Sequence, residues 1–427
     1  MSDTKSIPFL SELSKIDDRL RAGAGSLEKD ELERLIKNIN QSIGETVKQD
    51  YLKKAPEISH NWDTIFEAVI LNHLEKRLTE TLDVDVYFSF GQYLLKFTDN
   101  SDTALIKLVH NYLDIFRHST FLTRLSKTSD WEELIHKLIV KSNFNMNQLV
   151  GQRRRDYPDK IIIRTMKPGQ EQVLNWKKTG ELINTYAKGI GKLIQSGDRE
   201  HDKVAFLMEN SLNMALLDLA CLTSGIVNIM IPANSVADHV EFILNQTRAP
   251  IVLISNEKQL AKIKSIKKNL TYLKYAVLLD GPGVESWVIS LNAMIEEGGN
   301  FSDELLHQWQ KQIRINDLAT LMYTSGTTGD PKGIMFSHMN LVYKRFCRAM
   351  ALPEIGDTDR FLAYLPLYHT FGRWLEMIGS IFWGAEYIFM ENPAISTMVI
   401  ICSAASRQFL FPFLKNGMNC MKRLKRK

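Results

Sequence analysis

The spacing of apolar positions changes character at about residue 146. Before it, apolar residues recur at helical intervals. Ile65, Phe66, Val69, Ile70 and Leu74 follow Trp62, and Leu105, Leu108, Val109, Tyr112, Leu113 and Phe116 form a second stripe. A third begins with Ser129 and Glu132, the spacing of a capping box, ahead of Leu134, Ile135 and Leu138. Gly23 and Gly25 break the chain early. These stripes predict an all-helical N-terminal region, residues 1–145. It reads either as a small helical domain packing on itself or its neighbour, or as a regulatory or partner-docking module. His73, His110, His118 and His136 lie far apart and give no metal-ligand spacing.

From 146 the pattern alternates. Leu182, Ile183, Tyr186, Ile190, Leu193 and Ile194 predict a helix, 204–208 a strand, and 211–224 a helix stopped by Gly225. A strand over 226–231 ends at Pro232. Helix 236–246, strand 251–254, a Lys-rich helix and strand 275–279 follow. The strands are continuous apolar runs, as in parallel sheets covered on both faces. The fold class is therefore α/β, parallel sheets flanked by helices, preceded by the helical region. No GxGxxG follows the first strand, which disfavours a dinucleotide fold. The triplet Arg153-Arg154-Arg155 reads as a solvated face, with binding of an acidic partner the alternative, and the lysine run over 262–268 reads as a solvated helix face.

The chemistry concentrates in Tyr323-Thr324-Ser325-Gly326-Thr327-Thr328-Gly329-Asp330-Pro331-Lys332-Gly333, between a buried strand through Leu318, Leu321 and Met322 and an extended segment over 333–338. Glycines let a backbone approach an anion closely, and successive N–H groups in such a turn form an anion nest. Hydroxyls add donors, and Lys332 adds a mobile positive charge. The competing reading is a Gly/Thr surface loop with a solvated lysine. It is not a Walker A loop: Pro331 precedes the lysine, and Gly333 stands where that motif has Ser or Thr.

Composition narrows the rest. With 427 residues, 44% hydrophobic and 24% charged, the chain can build more than one core. A net charge of +4 gives no case for nucleic acid. Cys221, Cys347, Cys402 and Cys420 have no CxxC spacing, which fits a reducing, cytoplasmic compartment rather than a disulfide framework or zinc site. The polar start argues against a secretory signal. The most apolar stretch, 398–414, is interrupted by Arg407 and Gln408, so no membrane helix is expected. Peripheral membrane contact stays open, and oligomeric state is not readable.

The loop closely resembles the signature of the adenylate-forming, AMP-binding superfamily. The resemblance implies that Thr324, Ser325, Gly326, Thr327, Thr328, Gly329 and Lys332 hold the β- and γ-phosphates of ATP while a carboxylate attacks the α-phosphate. Asn210, Gly225 and Pro232 stand in the order and spacing of that family's punctuation. The run Tyr368-His369-Thr370-Phe371-Gly372-Arg373 resembles its second motif and points to the long-chain fatty acyl-CoA synthetase branch. There His369 would line the acyl pocket and shield the reacting carboxylate. Its role would be packing and orientation, since a carboxylate needs no general base near pH 7. ATP with Mg²⁺, coenzyme A and a fatty acid are the implied partners.

Up to about Met398 the order of family motifs holds, giving an incomplete adenylation domain over 146–398. Residues 399–427 read as a tail without family character. A shifted reading frame near 399 accounts for it. Taking each codon's third base with the next codon's first two forces Glu from Met418, Leu from Asn419 and Glu from Met421, and permits a long-chain synthetase-like strand and helix. A short paralogue with its own tail is the alternative. On either reading the expected turnover of this chain is low. A non-catalytic nucleotide- or partner-binding fragment is the second function the sequence allows.

Overall fold

The computed structural model describes residues 84, 88, 91–92, 94–95, 103–125, 129–166, 172–194, 203–283, 285–324, 329–363 and 365–390. The helical run after Trp62 and the tail over 399–427 lie outside the described residues. These residues divide between two compact units, one within Met1–Phe144 and Phe346–Ile355, the other within Asn145–Arg345 and Gly356–Lys427.

In the first unit, α1 (Thr103–Asp114) and α2 (Ser129–Ser142) carry the second and third stripes seen in the sequence. Their apolar faces close around an aromatic cluster. Phe116 meets Phe121, Trp131 and Phe346 edge-on, with ring centroids 5.5, 5.6 and 5.7 Å away. Such pairs add about 0.5–1.5 kcal/mol each beyond the area they bury. A ring nitrogen of His110 lies 3.1 Å from the carbonyl of Ser142, joining the two helices.

The second unit begins with α3 (Met146–Asp156), followed by β1 (Ile161–Met166), β2 (Gln172–Asn175) and α4 (Trp176–Ile194). Then come β3 (Lys203–Leu207), α5 (Leu212–Ser224), β4 (Val227–Ile231), α6 (Ala237–Thr247), β5 (Ile251–Ile254) and α7 (Glu257–Ile266). The chain continues through β6 (Tyr275–Leu278), β7 (Val288–Ser290), α8 (Leu291–Gly298), α9 (Asp303–Gln312), β8 (Leu318–Thr324) and β9 (Lys332–Ser337). Last are α10 (His338–Ala351), whose end belongs to the first unit, β10 (Arg360–Ala363), a π-helix (Phe371–Met377), α11 (Ile378–Trp383) and β11 (Glu386–Met390).

Local chemistry sets many of these boundaries. Side chains of Asn145, Ser211, Asn256, Ser290 and Ser302 accept the otherwise unpaired N–H groups at the starts of α3, α5, α7, α8 and α9. Gly225 ends α5 at φ 79, a conformation glycine takes without penalty.

The larger sheet has the order β7-β6-β5-β3-β4-β8-β9. It is parallel from β7 to β8, and β9 closes it antiparallel. β4 and β5 are buried along their whole length, and Ile229, Ile231, Val252 and Ile254 pack with Ile243, Leu244, Leu260 and Ile263 of the covering helices. Each such side chain contributes about 1.5–3 kcal/mol by leaving water. Strand order reverses at β3: the chain moves outward to β4, then crosses to β5 on the other side. Open α/β sheets bind ligands beyond the carboxyl ends of strands at such a reversal. The smaller sheet, β10-β11-β1-β2, was not foreseen from the sequence. β1 runs parallel to β11 and antiparallel to β2.

Two charge runs depart only in part from the solvated faces expected of them, since Arg155, Lys264 and Lys268 are exposed. Arg153 is 2% exposed and donates to the carbonyl of Phe382 at 2.7 Å, while Arg154 lies half-buried across the place a side chain at Gly180 would fill. Lys262 donates to the carbonyls of Ala233 and Ser235, Lys264 pairs with Glu285, and Lys267 lies over the ring of Trp287. Helix periodicity cannot show that a lysine stem spans to a neighbouring loop.

Candidate active site

Beyond Thr324 the chain turns at the carboxyl end of β8, which is parallel to β4 and thus ends on the same edge as β3, β4 and β5. It returns as β9, with Thr324 opposite Lys332 and Tyr323 opposite Gly333. Ser325, Gly326, Thr327 and Thr328 lie outside the described residues. Thr324, Gly329 and Lys332 are all exposed. Gly329 has φ 125, a bend that only glycine takes without strain. Among the described residues no side-chain partner holds the Lys332 ammonium.

The base of this hairpin is braced. A Cβ on Gly333 would meet the ring of Tyr323 at 2.8 Å, so the bare glycine lets the aromatic ring lie flat across the ladder. The Tyr323 hydroxyl donates to Gln246 of α6 at 2.5 Å, and burial raises its pKa.

The loops after β3, β4 and β5 are stitched together. Glu209 accepts from Ser255, from Gln259 at 2.8 Å and from Asn256 at 3.2 Å. Gln259 also donates to the carbonyl of Ala233. Burial pushes the Glu209 carboxyl up, but the donors Ser255 and Gln259, its own backbone and the charge of Lys258 outweigh it, and the net direction is down.

Asn210, next in sequence, brackets the segment that carries His369. Its amide donates to the carbonyl of Leu365 at 2.7 Å and its carbonyl accepts from the N–H of Leu367 at 2.7 Å. Tyr368 has its pKa raised by burial and then by the negative charge of Glu209. His369 is exposed and stacks on Phe371, ring centroids 6.3 Å apart. Gly372 is needed for close approach, since a Cβ there would sit 2.5 Å from the carbonyl of Pro366 and 2.6 Å from that of Leu365. Thr324, Gly329 and Lys332 are thus brought together across one hairpin mouth. His369 comes to the same sheet edge on a separate segment, anchored one strand beyond β4 at the end of β3.

Sequence reasoning missed one group here. Arg373 is 0% exposed and makes a two-pronged ion pair with Asp218, at 2.8 and 2.6 Å. It also donates to Asn228 at 2.9 Å and Thr320 at 2.7 Å. The sequence signals were Arg373 at the end of the Tyr368–Arg373 run, Asp218 in the mostly apolar middle of α5 and Asn228 within the apolar run of β4.

A protein-family model of AMP-binding enzymes matches residues 151–404. The chain belongs to this family. Among its curated relatives, a long-chain-fatty-acid–CoA ligase of Mycobacterium bovis is 28% identical over 235 residues, 55% of this chain and 38% of the relative. A long-chain acyl-CoA synthetase of Arabidopsis thaliana is 26% identical over 246 residues, 55% of this chain and 34% of the relative. The chain thus spans little more than a third of the length of these family members. The same fold is seen in the crystal structure of a long-chain-fatty-acid–CoA ligase from Archaeoglobus fulgidus, at a TM-score of 0.51 and 19% identity, covering 61% of this chain and 49% of that one.

Proposed function

We propose that this chain carries the triphosphate- and carboxylate-handling part of a long-chain fatty acid–CoA ligase. The observation that carries the reading is the meeting of exposed Thr324 and Lys332 across the β8–β9 ladder, with exposed Gly329 close by in sequence, at the carboxyl edge of a parallel sheet. That edge, at a strand-order reversal, is where α/β sheets bind nucleotides.

In the first step a fatty acid carboxylate attacks the α-phosphate of ATP; an O–P bond forms and pyrophosphate leaves. In the second, the thiol of coenzyme A attacks the acyl carbon, a thioester forms and AMP leaves. The hairpin residues Thr324, Ser325, Gly326, Thr327, Thr328 and Gly329 would hold the departing phosphates through N–H and hydroxyl donors. Lys332 would neutralise charge that builds on pyrophosphate. His369, beside Phe371, would pack against the acyl group and exclude water. The nucleophile is already ionised near pH 7, so the imidazole need not move a proton. The described residues gather no set of three or more His, Cys, Asp or Glu side chains able to hold a metal ion. Mg²⁺ carried on the triphosphate would supply charge neutralisation at the phosphate oxygens when bound.

Among the described residues no helix is long and apolar enough to cross a membrane. A cytoplasmic protein touching membranes peripherally would suit a substrate that partitions into lipid. Because little turnover is expected of this chain, the test is equilibrium titration of the purified protein with ATP, with and without a long-chain fatty acid. ATP affinity that strengthens when a long-chain acid is present supports the reading; ATP binding with no response to any acid sinks it.

A further inference from the structure

Arg373 sits in a helix whose first residue, Phe371, is 47% exposed, yet its own side chain is 0% exposed. The π-helical turn over Phe371–Met377 makes this possible, because a wider turn re-aims the side chains that follow it. The guanidinium reaches three elements: Asp218 on α5, Asn228 on β4 and Thr320 on β8. These partners are tied to one another, since Asn228 donates to Asp218 at 2.5 Å and Thr320 donates to the carbonyl of Asn228 at 3.1 Å. All four residues are 0% exposed.

The two ends of this network lead to the two parts of the candidate site. Thr320 lies on the strand that runs into the hairpin at Thr324. The backbone N–H of Arg373 donates to the carbonyl of His369 at 3.1 Å. A buried ion pair adds little net stability over well-packed apolar side chains, so anchoring alone does not require one. What it adds is direction: a planar group with fixed donors accepts one arrangement of partners.

We propose that Arg373, with Asp218, Asn228 and Thr320, is a positioning group that sets the His369 segment in fixed register with the phosphate hairpin. Its consequence for catalysis rests on the ligase reading, but the register itself does not. The network would align the acyl carboxylate with the α-phosphate while touching neither.

The experiment replaces the ion pair by apolar side chains in the double variant Asp218→Leu/Arg373→Met and follows amide hydrogen exchange. The expected result is exchange faster by about tenfold over 365–373, with β3, β4 and β5 unchanged. Arg373→Lys, which keeps the charge but loses the planar donors, should loosen the same segment rather than rescue it. In equilibrium titration the Kd for a long-chain fatty acid in the presence of ATP should rise about tenfold while that for ATP alone stays put, as expected when only the acid's alignment is lost. Unchanged protection over 365–373, or loss spread evenly over the whole sheet, overturns the proposal. A wild-type chain that does not bind ATP defeats the ligase reading instead, and the amide pattern still decides the register.

Discussion

The phosphate hairpin and the His369 segment lie at one edge of one sheet, but they are held in opposite ways. The hairpin is held by its neighbours in sequence: a ladder from Leu318 to Ser337, a bare Gly333 and the ring of Tyr323. The groups proposed to hold phosphate there, Thr324, Gly329 and Lys332, stand in solvent. The His369 segment is held instead by distant polar groups, Asn210 directly and Asp218, Asn228 and Thr320 through Arg373. Mutations should therefore separate function from stability at the hairpin and merge them at the segment.

The largest effect should come from Asp218→Ala. It leaves a guanidinium buried at 0% exposure without its counter-charge, and breaking a buried pair on one side costs about 3–5 kcal/mol. Urea unfolding should show the loss; a midpoint within experimental error of wild type would mean that the ion pair is not formed. Gly372→Ala should come next. Its Cβ meets two backbone carbonyls rather than a flexible side-chain tip, and such overpacking costs about 1–3 kcal/mol. Here stability and fatty acid response should fall together.

That difference in support also decided what the sequence revealed. The hairpin was legible because its chemistry is a contiguous string between two extended segments. β3, β4 and β5 were legible because strands covered on both faces are nearly continuous apolar runs, with Asn228 the polar exception inside β4. The smaller sheet was not, because β2 is the polar Gln172–Asn175 and Ile163 of β1 finds its partner in Tyr387. Arg373 could be read as one letter of a family signature. That its partners are Asp218, Asn228 and Thr320 depends on tertiary pairing and on a π turn, neither of which leaves a periodic trace.

At the hairpin the prediction reverses. Lys332→Ala should weaken ATP binding about 10- to 100-fold, the worth of one charge-assisted hydrogen bond. Stability should stay within about 0.5 kcal/mol, because the side chain is exposed. Calorimetric titration with ATP reads the first, and urea unfolding the second. Equal affinity in both proteins would show that the hairpin does not grip the triphosphate. Tyr323→Phe should be milder, about 1 kcal/mol for the lost bond to Gln246, because the ring still covers Gly333.

The smallest effect tests the stitching beneath both regions. Glu209 has its carboxyl pKa lowered in the folded chain, burial being outweighed by Ser255, Gln259, its own backbone and Lys258. A carboxyl of depressed folded pKa adds stability that is fully present above its unfolded value, about 4.3, and disappears as pH falls through the folded one. Glu209→Gln should therefore be less stable than wild type at pH 7, and the two should converge on acidification below about pH 4. Thermal unfolding of both proteins between pH 7 and pH 3 measures this. A gap that persists unchanged into acid would mean that the charge of Glu209 contributes nothing, and that hydrogen-bond geometry alone binds the loops after β3, β4 and β5 under the site.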